Sequence, residues 1–137
     1  MFDAVRMNLA TWAKPKIPNP TLSKKNKDEE TAVAILSDIQ LAKVTPDYNS
    51  EVAETRVVAY ANKIVELTNL QRNAHPVNKC AVLVAGDIVE CELIFPGQSH
   101  LIDASLYKQV TIDGPRILTQ FFDILLANFK EVEVTWV

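Results

Sequence analysis

The sequence predicts an α/β domain: a parallel or mixed sheet whose elements run strand, helix, strand, helix, strand. Three observations carry this. Two short apolar runs, Thr31-Ala32-Val33-Ala34-Ile35-Leu36-Ser37 and Cys80-Ala81-Val82-Leu83-Val84-Ala85, each lead into an aspartate. Continuous apolar runs of this length suit strands buried on both faces, as in a parallel sheet. Two longer stretches between and after them repeat apolar residues at three- and four-residue spacing, the period of a one-faced helix. A third β-rich run, Glu131-Val132-Glu133-Val134-Thr135-Trp136-Val137, closes the order. Helices of this length acting as crossovers make neighbouring strands parallel and the crossovers right-handed.

The elements follow in order. Residues 1–13 form a weakly amphipathic piece with Phe2, Val5, Met7, Leu9 and Trp12. Pro15, Pro18 and Pro20 then exclude a helix or central strand. Ser23-Lys24-Lys25-Asn26-Lys27-Asp28-Glu29-Glu30 is a solvated charge run, so residues 1–30 read as an N-terminal arm or linker and 31–137 as the domain. No aromatic residue interleaves with these lysines, which favours solvated charge over a nucleic-acid contact. Residues 39–50 form a loop through Thr45-Pro46-Asp47. A helix follows over 51–72, with Ala53, Val57, Tyr60 or Ala61, Ile64 and Leu67 on its apolar stripe. Ser50 is its expected N-cap, with Glu51 and Glu54 in the first turn. Asn73-Ala74-His75-Pro76 ends it. After the second strand a loop crosses Phe95-Pro96-Gly97-Gln98. Ile117, Leu118, Phe121, Phe122, Leu125, Leu126 and Phe129 then mark a second amphipathic helix. Leu106 and Val110 extend its phase backwards, either as one helix kinked near Gly114-Pro115 or as two with Pro115 in a first turn.

Composition bounds the function classes. The 137 residues are about one domain's worth, and 48% apolar residues suffice for a core. A net charge of −3 gives no global basic field. No apolar run is long enough to span a membrane, and the N-terminus lacks the apolar stretch of a secretory signal. Two cysteines make no disulfide framework, so a reducing, cytoplasmic setting is expected. Glycine is scarce: three residues, where average usage gives about ten. One of them, Gly86, directly precedes an aspartate at the end of an apolar run.

That place carries the chemistry. Asp38 follows the first buried run and Asp87 the second. In an open parallel sheet, ligands bind outside the carboxyl ends of the strands. Carboxylates on adjacent strand ends repel unless they share a hard divalent cation. Gly86 lets a ligand or the turning backbone approach closely. The plainer reading is that each aspartate caps a helix or sits in a solvated turn.

Ser37-Asp38-Ile39-Gln40-Leu41-Ala42-Lys43 resembles the first motif of the calcineurin-like metallophosphoesterases, a strand ending in Asp-x-His. Gly86-Asp87-Ile88-Val89-Glu90 resembles their second, Gly-Asp-x-x-Asp or Glu. The nearest flavour is the DNA-repair exonuclease and phage phosphoesterase branch, and the resemblance covers residues 31–137. It implies the first half of a metallophosphoesterase sandwich and hydrolysis of phosphate esters, of phosphodiesterase or nuclease type on a substrate such as DNA. It also implies divalent metal, Mn²⁺ or Mg²⁺, with Asp38 on the first metal, Asp87 bridging two, Gln40 a further ligand, and Gly86 and Glu90 in support. In the family, a metal-activated water attacks phosphorus while the metals neutralise developing charge.

This sequence departs from the family in three ways. Gln40 replaces histidine; its carbonyl can bind a hard cation but cannot move a proton. Cys91 stands where glycine is common, which either crowds the turn or packs as a small apolar residue. The later Gly-Asn-His and Gly-His-x-His motifs are missing, so no catalytic residue is assignable. The expectation is an N-terminal portion ending before the third motif, of weak or no activity alone. The alternative is an inactive phosphoesterase-like interaction module, in which self-association or a missing C-terminal segment covers the third strand. A third possibility is an unrelated α/β domain that binds a small nucleotide without metal.

The remaining candidates are weaker. His100 is a possible substrate-side residue, though an ordinary loop histidine is the simpler reading. His75 is expected at the surface and Cys80 in the core. Asp87, Cys91 and His100 match no zinc spacing. There is no Ser-His-Asp set and no phosphate-cradling glycine loop.

Overall fold

A computed structural model describes residues 28–137. Of the arm assigned to residues 1–30, residues 1–27 lie outside them. The first strand, β1, runs Glu30–Ser37, one residue earlier than the sequence suggested. Helix α1 spans Ser50–Gln71, β2 spans Val77–Ala85, and β3 spans Glu131–Trp136. Between β2 and β3 the chain makes a 3₁₀ turn at Gln98–His100, then a helical rod. The rod consists of a short α2, Leu106–Lys108, a π-helical turn at Gln109–Asp113, and α3, Gly114–Asn128.

The described strands form one sheet in the order β1-β2-β3, and both neighbouring pairs are parallel. The expected α/β class, with a parallel sheet, is therefore observed. In a sheet that steps in one direction, right-handed crossovers place both helices on the same face. α1 and α3 accordingly pack against each other as well as against the sheet. Ala34, Leu36, Cys80, Val82 and Val84 are buried beneath Ala53, Val57, Ala61, Ile117, Phe121 and Leu125. Phe121 stacks on Tyr60 at 6.0 Å between ring centroids and meets Phe122 edge-on at 5.3 Å. Such aromatic pairs contribute beyond their buried area.

The apolar runs led to an expectation of strands covered on both faces. The structure corrects it for β1: Val33 and Ile35 are 65% and 59% exposed on the face turned from the helices. With both crossovers on one side, nothing in the described chain reaches the other. There Lys79 bridges Glu131 at 2.9 Å and Glu133 at 2.7 Å.

Helix ends and phases also differ from the sequence reading. The N-cap of α1 is Asn49, not Ser50; the Asn49 side chain accepts from the Val52 N–H at 2.9 Å. Ser50 instead gives its N–H and hydroxyl to the two carboxylate oxygens of Asp103, at 2.8 and 2.6 Å. Near the end of α1, Thr68 is buried and Leu67 exposed. In the second rod, Leu106 and Val110 were expected on the apolar stripe, but they are exposed and Gln109 and Asp113 are buried. The physical reason is the π turn: its extra residue per turn rotates everything before Gly114 relative to α3. Gly114 permits this, because a Cβ there would lie 2.7 Å from the Gln109 carbonyl oxygen. Leu126 also points out, while Phe129 caps the core beneath Arg72.

Candidate functional site

The parallel register sets Ser37 beside Ala85, so the chain leaves β1 and β2 side by side at their carboxyl ends. Pairing then continues past the strands. Gln40 N–H donates to the Asp87 carbonyl and Leu41 N–H to that of Ile88, both at 2.9 Å. Glu90 N–H donates back to the Leu41 carbonyl at 3.0 Å. The two segments singled out in the sequence are thus laced together by backbone.

The lacing requires unusual backbone. Asp38, Gln40 and Ala42 have φ of 50°, 46° and 77°, Cys91 65°, and Gly86 69°. Left-handed conformations cost a non-glycine residue about 1–2 kcal/mol. Aspartate tolerates them better than most; alanine does not. Cys91 is half-buried, and its positive φ is the conformation glycine holds most easily.

At Gly86 the missing side chain is occupied space. A Cβ there would sit 2.6 Å from Asp38 Oδ1 and 3.0 Å from Oδ2. The Asp38 carboxylate therefore lies across the end of β2, in the cradle that glycine leaves. Asp87 follows directly and is exposed. Gln40 does not present a free carbonyl: its Oε1 accepts from Lys43 Nζ at 2.7 Å. Among the described residues there is no group of three or more histidine, cysteine, aspartate or glutamate side chains placed to hold one metal ion. What the fold brings to one rim is the backbone of Asp38, Gln40 and Asp87, with the Asp38 carboxylate against Gly86.

Glu90 is fixed by two glutamines that sequence reasoning missed. Its N–H also reaches Gln109 Oε1 at 3.1 Å, and its carbonyl accepts from Gln98 Nε2 at 2.7 Å. Gln98 further accepts from Ile94 N–H at 2.6 Å, and Gln109 donates to the Ala104 carbonyl at 2.8 Å. Both glutamines are buried. Each satisfies loop backbone that has no strand to pair with, which is what buried polar side chains are for. Gln109 could have been found by its helical spacing from Leu106, whereas Gln98, in a loop, carried no such signal. Buried Asp113, in the π turn, pairs with Lys108 at 3.0 Å and Arg116 at 3.4 Å.

The other candidates resolve individually. His100 is exposed in the 3₁₀ turn. His75 is not the surface histidine expected; its side chain is 13% exposed beside Glu30, at 3.4 Å. Cys80 is core, and burial pushes its thiol pKa up, away from the reactive thiolate. On the α1 side of Asp38, Tyr48 directs its hydroxyl to the Ile39 carbonyl. Burial raises its pKa, and Arg56, stacked 5.3 Å from its ring centroid, opposes the rise.

No protein-family model, curated protein or solved structure matches this chain. No helix among the described residues is long and apolar enough to cross a membrane.

Proposed function

We propose that this domain handles phosphate esters with a hard divalent cation held by Asp38 and Asp87, in the manner of the calcineurin-like metallophosphoesterases that its two motifs resemble. One observation carries the reading: the Asp38 carboxylate rests in the cradle left by Gly86, the residue directly before Asp87, at the joined carboxyl ends of parallel strands. Left-handed backbone concentrated at one rim supports it, because such strain collects at ligand sites. The chemistry of the donors fits Mn²⁺ or Mg²⁺, which favour carboxylate oxygen. Bound there, the cation supplies charge neutralisation and an activated water for attack at phosphorus. The substrate class is a phosphodiester, nucleic acid included.

The test is isothermal titration with Mn²⁺ on the wild-type chain, Asp38→Asn and Asp87→Asn. Wild-type binding that either substitution weakens at least tenfold is the expected result. Equal binding by all three proteins overturns the site. Hydrolysis of bis(p-nitrophenyl) phosphate is expected to be slow, since Gln40 stands where the family places an imidazole and an amide cannot move a proton.

A second reading, an interaction module on the same scaffold, is favoured by the Gln40–Lys43 bond, which occupies the position where the family places a metal-binding histidine. The exposed Val134 and Trp136 on β3 offer an edge for it. A clean monomer at high concentration in analytical ultracentrifugation would count against assembly through that edge.

A further inference from the structure

Two cations stand beside the carboxylate rim without carboxylate partners among the described residues. Lys43 donates only to the Gln40 amide oxygen, at 2.7 Å, and forms no ion pair among the described residues. Arg56, on the second turn of α1, likewise has none; its guanidinium is held over the Tyr48 ring. Both line one cleft of about 290 Å³ that Asp38, Asp47 and Tyr48 also line. A second hollow of about 210 Å³ shares Asp38, Tyr48 and Arg56, so the groove continues along the α1 flank of Asp38 toward Ser37. Of the eight lysines and arginines among the described residues, four are taken up by acids, Lys63, Lys79, Lys108 and Arg116. Lys43 and Arg56 are not, and they share a concave surface.

We propose that Lys43 and Arg56 form a phosphate-gripping subsite on the α1 side of Asp38, which holds a phosphate group while the carboxylate pair holds the cation. This rests on the metal reading for its purpose, though not for its geometry. Arg56 is pre-placed. The Tyr48 ring supports it from below, and the Tyr48 hydroxyl ties that ring to the Ile39 carbonyl at the end of β1. A stacked guanidinium keeps its edge N–H groups for a fork-like grip on phosphate oxygens. Lys43 adds a mobile point charge, and its Gln40 contact is one a phosphate oxygen replaces in kind. The Asp38 carboxylate would repel a bare phosphate; a cation on Asp38 removes the repulsion. Phosphate binding should therefore strengthen when the divalent cation is present.

The experiment uses the whole chain in Ca²⁺ buffer, with two probes. Inorganic phosphate is followed by NMR shifts, and a fluorescein-labelled oligodeoxythymidine by anisotropy across a salt series. Arg56→Gln and Lys43→Gln are each expected to weaken binding about tenfold, with Arg56→Lys recovering part of it. For the oligonucleotide, each removed cation should lower the salt slope by about 0.7. Response to inorganic phosphate identifies an isolated phosphate as sufficient. Response to the oligonucleotide alone identifies a phosphodiester chain. Either supports the subsite. Binding and salt slope unchanged in both Gln variants, or no response to either probe, overturns it. Parallel Mn²⁺ titrations separate the two proposals. If Asp38→Asn keeps its Mn²⁺ affinity while Arg56→Gln loses phosphate, the metal reading falls and the subsite stands. If Asp38→Asn loses Mn²⁺ while Arg56→Gln keeps phosphate, the subsite falls alone.

Discussion

Behind the sheet, Ile117, Phe121 and Leu125 are buried against Ala34, Val82 and Val84, all in ordinary helical or extended backbone. At the carboxyl rim of the same sheet, Asp38, Gln40, Ala42 and Cys91 all hold positive φ, and a carboxylate fills the place of a missing Cβ. The first region supplies stability through buried apolar area. The second draws on it to hold polar groups in a geometry the chain would not adopt unaided. Binding sites are commonly built this way, with strained loops on a scaffold that overdetermines them. The open face of the sheet belongs to neither region, since Val33 and Ile35 are apolar yet exposed.

The sharpest way to break this contrast is through the interior. Phe121→Ala removes the fully buried ring that Tyr60 and Phe122 pack against. It should lower stability by about 3–5 kcal/mol in urea denaturation. A loss below about 1 kcal/mol would mean that the helix layer is not what holds the domain together.

Gly86→Ala comes next. It forces a Cβ against the Asp38 carboxylate in a left-handed backbone and should cost about 1–3 kcal/mol. Unlike Phe121→Ala, it should also displace Asp38 and weaken Mn²⁺ binding in the folded protein. Unchanged Mn²⁺ affinity would separate the cradle from the site.

Ala42→Gly tests the rim in the opposite direction. Ala42 is fully buried with φ of 77°, so glycine relieves strain at little loss of contact. The variant should gain about 0.5–1 kcal/mol, read as a raised urea midpoint. A destabilised variant would show that the Ala42 methyl group contributes more in packing than its conformation costs.

The smallest effect lies on the open face. The hydrogen bond from Lys79 lowers the Glu133 carboxyl pKa below its ordinary value. A carboxylate whose pKa is lowered by folding contributes stability above its unfolded pKa and loses it as pH falls through the folded value. In Lys79→Gln, the fall of Tm from about pH 5 downward should be slightly shallower than in the wild type. The pair faces solvent, with Lys79 32% and Glu133 58% exposed, so a large difference would mean that this face is covered in solution.

Several features were legible in the sequence for direct physical reasons. Apolar runs at Thr31–Ser37 and Cys80–Ala85 mark strands, because short runs rich in β-branched and apolar residues favour extended backbone. The stripe from Ile117 to Leu125 marks α3, because 3.6 residues per turn returns each of them to one face. Asp38, Gly86 and Asp87 were visible as candidates because two carboxylates recur at equivalent places, each after an apolar run.

Tertiary structure decided the rest. Sequence period could not reveal that both helices lie on one face and leave Val33 and Ile35 uncovered, because that depends on strand order. Nor could it reveal the π turn at Gln109–Asp113, where one extra residue reverses which side chains are buried. Buried Gln98 and Gln109 have meaning only once the loop backbone they satisfy is folded around them. The meeting of Lys43 and Arg56 in one cleft depends on how α1 packs against the end of β1. Local pattern fixes what each segment is, because periodicity and backbone sterics act over a few residues. Which segments meet is set by the packing of layers, and the chemistry of the rim arises from that meeting.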